Sequence, residues 1–243
     1  MSRTIDFYFD YLSPYAYLAW LCLPEVTESR DVEIVPRPVL FAGLLNHWGQ
    51  LGPAEIPPKG KHVGKDTGRF AALRGIPLGG PRYHPFNPLT ALRVSLAGVA
   101  GDDQKAVISA IFNAGWVEGI DLGDPVDICN TLIGADLEGE RLVAATKEAT
   151  ASDMLRKETD LAIERGVFGI PTMGVEDEIF WGLDQLQYLA LYLDGDDPLD
   201  AMERKSRRSG GRAVVRPGSV GRGQGNDGKV LKSSPADSTE NER

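Results

Sequence analysis

Two cysteines in 243 residues leave the chain little sulfur chemistry of its own. Cys22 and Cys129 stand far apart, in neither a Cys-x-x-Cys nor a zinc-type spacing, so they form neither a disulfide scaffold nor a dithiol centre. Each reads as a small apolar side chain. The three histidines, His47, His62 and His84, have no companion ligand at a metal spacing, and no metal is expected. No apolar run approaches the roughly 18 residues of a membrane-spanning helix. The opening Met1-Ser2-Arg3-Thr4-Ile5-Asp6 puts an acid where a secretory signal has its apolar stretch. No membrane partner and a cytoplasmic location are therefore expected. Positive charge is short too, with 26 Lys and Arg against 35 Asp and Glu and a net charge of −9. Residues 203–243 carry ten Lys/Arg and five Asp/Glu, so this tail holds +5 and the rest of the chain −14. An acidic body argues against nucleic acid as the main partner.

Against these absences stand several local patterns. Residues 4–10 alternate, with Ile5, Phe7 and Phe9 on one side and Asp6, Tyr8 and Asp10 on the other, which is the period of a strand. Ser13-Pro14 follows, an N-cap with proline at N1, and predicts a helix to about residue 28. Val32-Glu33-Ile34-Val35 reads as a second strand ending at Pro36 and Pro38, parallel to the first through a βαβ unit. From 40 to 160 the texture is helical, with helices at 107–116 and 142–165 and a further start at Asn87-Pro88. Loops rich in Pro and Gly, notably 52–61 and 76–88, divide them. Residues 172–175 and 178–181 read as two short strands turned at Glu176-Asp177, and 183–193 as a closing helix. Beyond 200 the chain holds almost no large apolar residue and is expected to be disordered.

The order β-α-β, helices, β-β-α resembles the thioredoxin arrangement with a helical domain inserted after the second strand. Three motifs are similar to the DsbA-like branch, and within it to the kappa-class glutathione transferases and hydroxychromene-carboxylate isomerases. They are Phe9-Asp10-Tyr11-Leu12-Ser13-Pro14-Tyr15-Ala16-Tyr17, Gly166-Val167-Phe168-Gly169-Ile170-Pro171-Thr172 and Phe180-Trp181-Gly182-Leu183-Asp184. Pro57-Pro58-Lys59-Gly60 and His84-Pro85-Phe86-Asn87-Pro88 add to the likeness, which covers residues 4–195. It implies an α/β, DsbA-like fold: a discontinuous thioredoxin-like domain (1–40 and 166–200), a helical insertion domain (41–165) and the tail (201–243).

The resemblance also implies a site. Ser13 stands where thioredoxin-like oxidoreductases carry their first cysteine. Read by itself it is an N-cap; read through the family it is the catalytic residue, donating a hydrogen bond to the thiolate of bound glutathione. Helix N-termini stabilise such anions. Pro14 starts the helix beside it, and Tyr15 and Tyr17 are packing residues of which one hydroxyl can face the pocket. Pro171 is expected to be cis, presenting the backbone of Ile170 to the cysteinyl part of glutathione. Asp184 is either an acid favoured by a helix N-terminus or, as in the family, the ligand of the γ-glutamyl ammonium. Before it the family has Ser or Asn, and this chain has Leu183, which offers only its backbone N–H; Gln185 replaces a frequent arginine. Lys59 is an exposed loop lysine, or the family lysine at the glycine-carboxylate end. Asn87 reads most simply as an N-cap, while the loop holding His84, Phe86 and Asn87, with Arg82 and Arg93 as further candidates, is a potential acceptor pocket.

The implied activity is a glutathione-dependent cis–trans isomerisation of the 2-hydroxychromene-2-carboxylate type, on a small-molecule substrate, by a homodimer. Two alternatives remain at this point: a kappa-like transferase that conjugates electrophiles, and a non-catalytic glutathione- or peptide-binding protein. A thiol–disulfide oxidoreductase is excluded, because Ser13-Pro14-Tyr15-Ala16 holds no cysteine.

Overall fold

A computed structural model of the chain describes residues 3–199. Strand β1 (Arg3–Phe9) buries Ile5, Phe7 and Phe9 completely on one face, in a core shared with Leu18 and Leu23 of helix α1 (Pro14–Thr27). On its other face Tyr8 joins Val39, Leu44, Ala162, Val167 and Ile170 in a second, smaller core. Asp6 is held between Arg37, at 2.9 Å, and Arg165. The strand is thus covered on both faces, as central strands flanked by helices are.

Strand β2 (Val32–Pro38) pairs parallel with β1, from Arg3 opposite Val32 to Phe9 opposite Pro38. Strands β3 (Thr172–Val175) and β4 (Glu178–Trp181) form an antiparallel hairpin, with β3 antiparallel to β1, giving the order β2-β1-β3-β4. The prolines read as ending the second strand instead lie within it. β2 is an edge strand, and the Pro36 carbonyl faces outward, accepting Gln104 Nε2 at 3.2 Å. The amide that proline lacks therefore falls on the unpaired side.

Between β2 and β3 lie α2 (Phe41–Trp48), α3 (Pro57–Arg74), α4 (Leu89–Val94), α5 (Ala97–Ala100), α6 (Gln104–Trp116), α7 (Pro125–Gly134), α8 (Gly139–Ala145) and α9 (Ala149–Glu164). After β4, a 3₁₀ turn (Leu183–Gln185) leads into α10 (Leu186–Asp194). The single helix expected at 142–165 is broken in two at Thr146. The Thr146 hydroxyl donates to Val143 O at 2.7 Å, and its carbonyl accepts Arg93 from across the insert at 3.4 Å. The loop expected at 52–61 is cut short by α3, so Lys59 lies in a helix and not in a loop. Tyr11 and Phe112 stack edge-on at 4.7 Å, and one continuous core runs from the sheet into the insert. Among the described residues no helix is long and apolar enough to cross a membrane. The disorder expected for 201–243 concerns a segment outside the described residues.

Candidate active site

The turn between β1 and α1 is fixed from several sides. Asp10 is fully buried; its Oδ1 accepts the Leu12 N–H at 3.1 Å and its Oδ2 the Phe41 N–H at 2.9 Å. Its backbone carbonyl accepts the Ser13 N–H at 3.2 Å. Burial pushes the Asp10 carboxyl up to about 7, against the opposing pull of these backbone donors. The insert contributes two further bonds: Trp116 Nε1 donates to Tyr11 O at 3.0 Å and His84 Nε2 to Leu12 O at 2.9 Å.

Ser13 is the N-cap of α1, its Oγ accepting the Ala16 N–H at 3.1 Å, with Pro14 at N1. One lone pair is thereby used and the hydroxyl proton stays available to a second partner. Pro14 has no N–H to donate, and the N–H of Tyr15 donates no hydrogen bond among the described residues. The Tyr15 hydroxyl donates to Asp66 Oδ2 at 2.8 Å; burial, then that hydrogen bond, raises its pKa. Tyr17 points away, donating to Pro77 O at 2.8 Å.

Facing this helix start is the Ile170–Pro171 bond, which is cis. The Pro171 carbonyl accepts the Gly182 N–H at 2.9 Å. Among the described residues neither the amide nor the carbonyl of Ile170 is hydrogen-bonded. Gly182 has φ +113°, and a Cβ there would meet Asp184 Oδ1 at 2.5 Å, so only glycine lets the Asp184 carboxylate fold over this turn. Asp184 is exposed, with Gln185 Nε2 on its Oδ2 at 3.2 Å, and Leu183 is buried beneath it.

These pieces enclose a cavity of about 710 Å³, within the roughly 300–1,000 Å³ of small-molecule sites. Of the residues singled out in the sequence, Tyr15, Ile170, Pro171, Leu183 and Asp184 line it. Ser13 and Pro14 are not among its lining residues; they open the helix whose first turn reaches the cavity through Tyr15. Lys59 is exposed and outside the lining, about 10 Å along α3 before Asp66. His84, Phe86 and Asn87 do not line it either. His84 borders the turn through Leu12, with Phe86 6.3 Å away between ring centres. Asn87 is not the N-cap expected of it: Pro88 holds that position of α4, and Asn87, one residue earlier, accepts the Leu89 N–H on its Oδ1 at 3.1 Å. Arg82 lies over the Tyr83 ring, and Arg93 donates to Ser152 Oγ at 2.9 Å, inside the insert. Sequence reasoning missed Asp66, Arg69, Phe70 and Leu73 of α3, and Trp181, as lining residues, and Asp10 as the brace beneath the turn. The four α3 residues have the i, i+3, i+4, i+7 spacing of one helix face, but that spacing carries no signal until the glycine-bearing segment is known to be a helix. Cys22 is buried in the middle of α1, where burial pushes its thiol pKa up.

A model of the DSBA-like thioredoxin domain matches residues 4–194. Over 195 residues the chain is 33% identical to a 2-hydroxychromene-2-carboxylate isomerase of Sphingobium xenophagum, covering 79% of this chain and 99% of that one. Over 213 residues it is 27% identical to glutathione S-transferase kappa 2 of Caenorhabditis elegans, covering 79% and 92%. A solved 2-hydroxychromene-2-carboxylate isomerase superposes with a TM-score of 0.70 at 27% identity, over 85% of this chain and 100% of that one.

Proposed function

Because the chain belongs to the DSBA-like thioredoxin family and, within it, to the 2-hydroxychromene-2-carboxylate isomerases, we propose that it is a glutathione-dependent cis–trans isomerase of an aromatic-catabolism intermediate. Glutathione, when bound, supplies a thiolate that adds reversibly to a conjugated double bond, so that the bond rotates before it re-forms. The residues of this chain suit that guest. Ser13 keeps a hydroxyl proton to donate to an anionic sulfur, and the unbonded Tyr15 N–H and the α1 dipole add positive charge at the same point. Ile170 offers its free amide and carbonyl to the cysteinyl backbone, as an added strand would. Asp184 offers a carboxylate to the γ-glutamyl ammonium and Leu183 its backbone N–H. Pro14 and Lys59 complete the set implied by the family, Lys59 from outside the cavity, and His84, Phe86 and Asn87 remain acceptor-side candidates from the bordering loop.

One observation carries the reading: the first turn of α1, the cis Ile170–Pro171 bond and the Asp184 turn wall a single cavity, with no cysteine among its lining residues. The test is to incubate the protein with glutathione and 2-hydroxychromene-2-carboxylate and to quantify both product and glutathione. Open-chain trans product with glutathione unconsumed is the expected result. A glutathione adduct would favour conjugation, the second reading, which the kappa-class similarity supports. Glutathione binding without turnover of either kind would leave a binding role. A cytoplasmic homodimer belongs to the same proposal; light scattering tests the dimer.

A further inference from the structure

Helix α3 turns a mixed face toward the cavity. Asp66, Arg69, Phe70 and Leu73 fall at i, i+3, i+4 and i+7, and all four line it. They differ in what they already have. Asp66 is engaged by the Tyr15 hydroxyl. Leu73 is 89% exposed and Trp181, also lining the cavity, 51% exposed, so the walls here hold uncovered apolar surface. Arg69 is the one Lys or Arg among the lining residues, and among the described residues no acid or carbonyl pairs with it. The cavity therefore presents a guanidinium without a protein partner beside an apolar bed, with the carboxylates of Asp66 and Asp184 in the same lining.

A guanidinium takes a carboxylate through two parallel hydrogen bonds. In glutathione each carboxylate sits beside a peptide or an ammonium group, which gains nothing from apolar walls. An aromatic acid carries its carboxylate within a few bonds of a ring, and the ring needs such a bed. We propose that Arg69 binds the carboxylate of the acceptor, with the acceptor's ring covered by Phe70, Leu73 and Trp181, so that the site selects aromatic acids over neutral aromatics. This rests on the isomerase reading of the cavity and adds to it the residue that reads the substrate's charge.

The test uses an unreactive probe, so that binding is read apart from turnover. With glutathione present, 3-phenylpropanoate and its methyl ester are titrated by calorimetry into the wild type, Arg69→Met and Arg69→Lys, each checked for folding by thermal unfolding. The wild type is expected to prefer the acid by about 10- to 100-fold, the span of one charge-assisted hydrogen-bonded contact. Arg69→Met abolishes the preference and Arg69→Lys keeps part of it. Equal binding of acid and ester by the wild type overturns the proposal. So does an equal weakening of both ligands in Arg69→Met, or a fall in that variant's affinity for glutathione itself large enough to account for the loss. If the preference holds while chromene-carboxylate turnover is absent, the carboxylate site stands and the isomerase reading fails.

Discussion

Asp10 Oδ2 accepts the backbone N–H of Phe41 at 2.9 Å, joining the turn that carries Ser13 to the first residue of α2. The carboxyl is fully buried, and none of the influences that set its pKa is a cation. Its folded pKa of about 7 lies above the roughly 3.9 of an unfolded aspartate. Between these values the folded state holds a proton that the unfolded state has lost. Stability from this group is thus fully present below about pH 4 and is lost as pH rises through about 7, a swing of roughly 4 kcal/mol. Asp10→Asn should flatten that slope. At pH 4 it should be less stable than wild type, by about 1–3 kcal/mol, because one acceptor is lost; with the wild type losing roughly 4 kcal/mol by pH 8, the order should reverse there and the variant should be the more stable, by about 1–3 kcal/mol. Urea unfolding across pH 4–8 checks both.

Ser13→Ala separates capping from chemistry. Loss of the bond to the Ala16 N–H should cost about 1 kcal/mol in stability. Loss of the donor to the thiolate should lower kcat by about 100-fold or more. A turnover assay beside a denaturation curve reads both, and a loss of turnover no larger than the stability change explains would remove Ser13 from the chemistry.

Asp184→Asn tests the other end of the ligand. The side chain is exposed, so the fold should be unaffected, while glutathione affinity falls by about 10- to 100-fold. Calorimetry measures it directly. An unchanged Kd would leave Asp184 as an ordinary acid in the first turn after β4.

Gly182→Ala should reproduce that loss indirectly. The added methyl would meet Asp184 Oδ1 at 2.5 Å at a residue held at φ +113°. Glutathione affinity should fall at least as far as in Asp184→Asn, with a further stability cost of about 1 kcal/mol or more from the backbone. Combining the two substitutions should then cost less affinity than the sum of their separate effects, because both act on the same carboxylate.

What the sequence reveals follows from how local each signal is. The alternation of residues 4–10, the Ser13-Pro14 start and the turn at Glu176-Asp177 depend on neighbours only, and the structure carries all three. Helix α3 is hidden because it contains Gly60, Gly64 and Gly68 after two prolines, a composition of low helix propensity. Its helicity is set by packing, including Tyr15 on Asp66, which joins residues 51 positions apart. The α3 wall of the cavity was therefore invisible, and the acceptor side was sought instead in the His84 loop. Pro36 and Pro38 look like strand enders until β2 is known to be an edge strand, and that is a fact of topology. Asp10 fits the polar side of an alternating strand; nothing local says that its carboxylate is buried under the next helix.

The most direct measurement is the pH titration of the sulfur in enzyme-bound glutathione, followed by the ultraviolet absorbance of the thiolate. With the sulfur at the start of α1 beside Ser13, the bound thiol should titrate at least about one unit below the roughly 8.5 of a free thiol, and Ser13→Ala should return it toward that value. A bound thiol that titrates like the free tripeptide in the wild type would contradict the account.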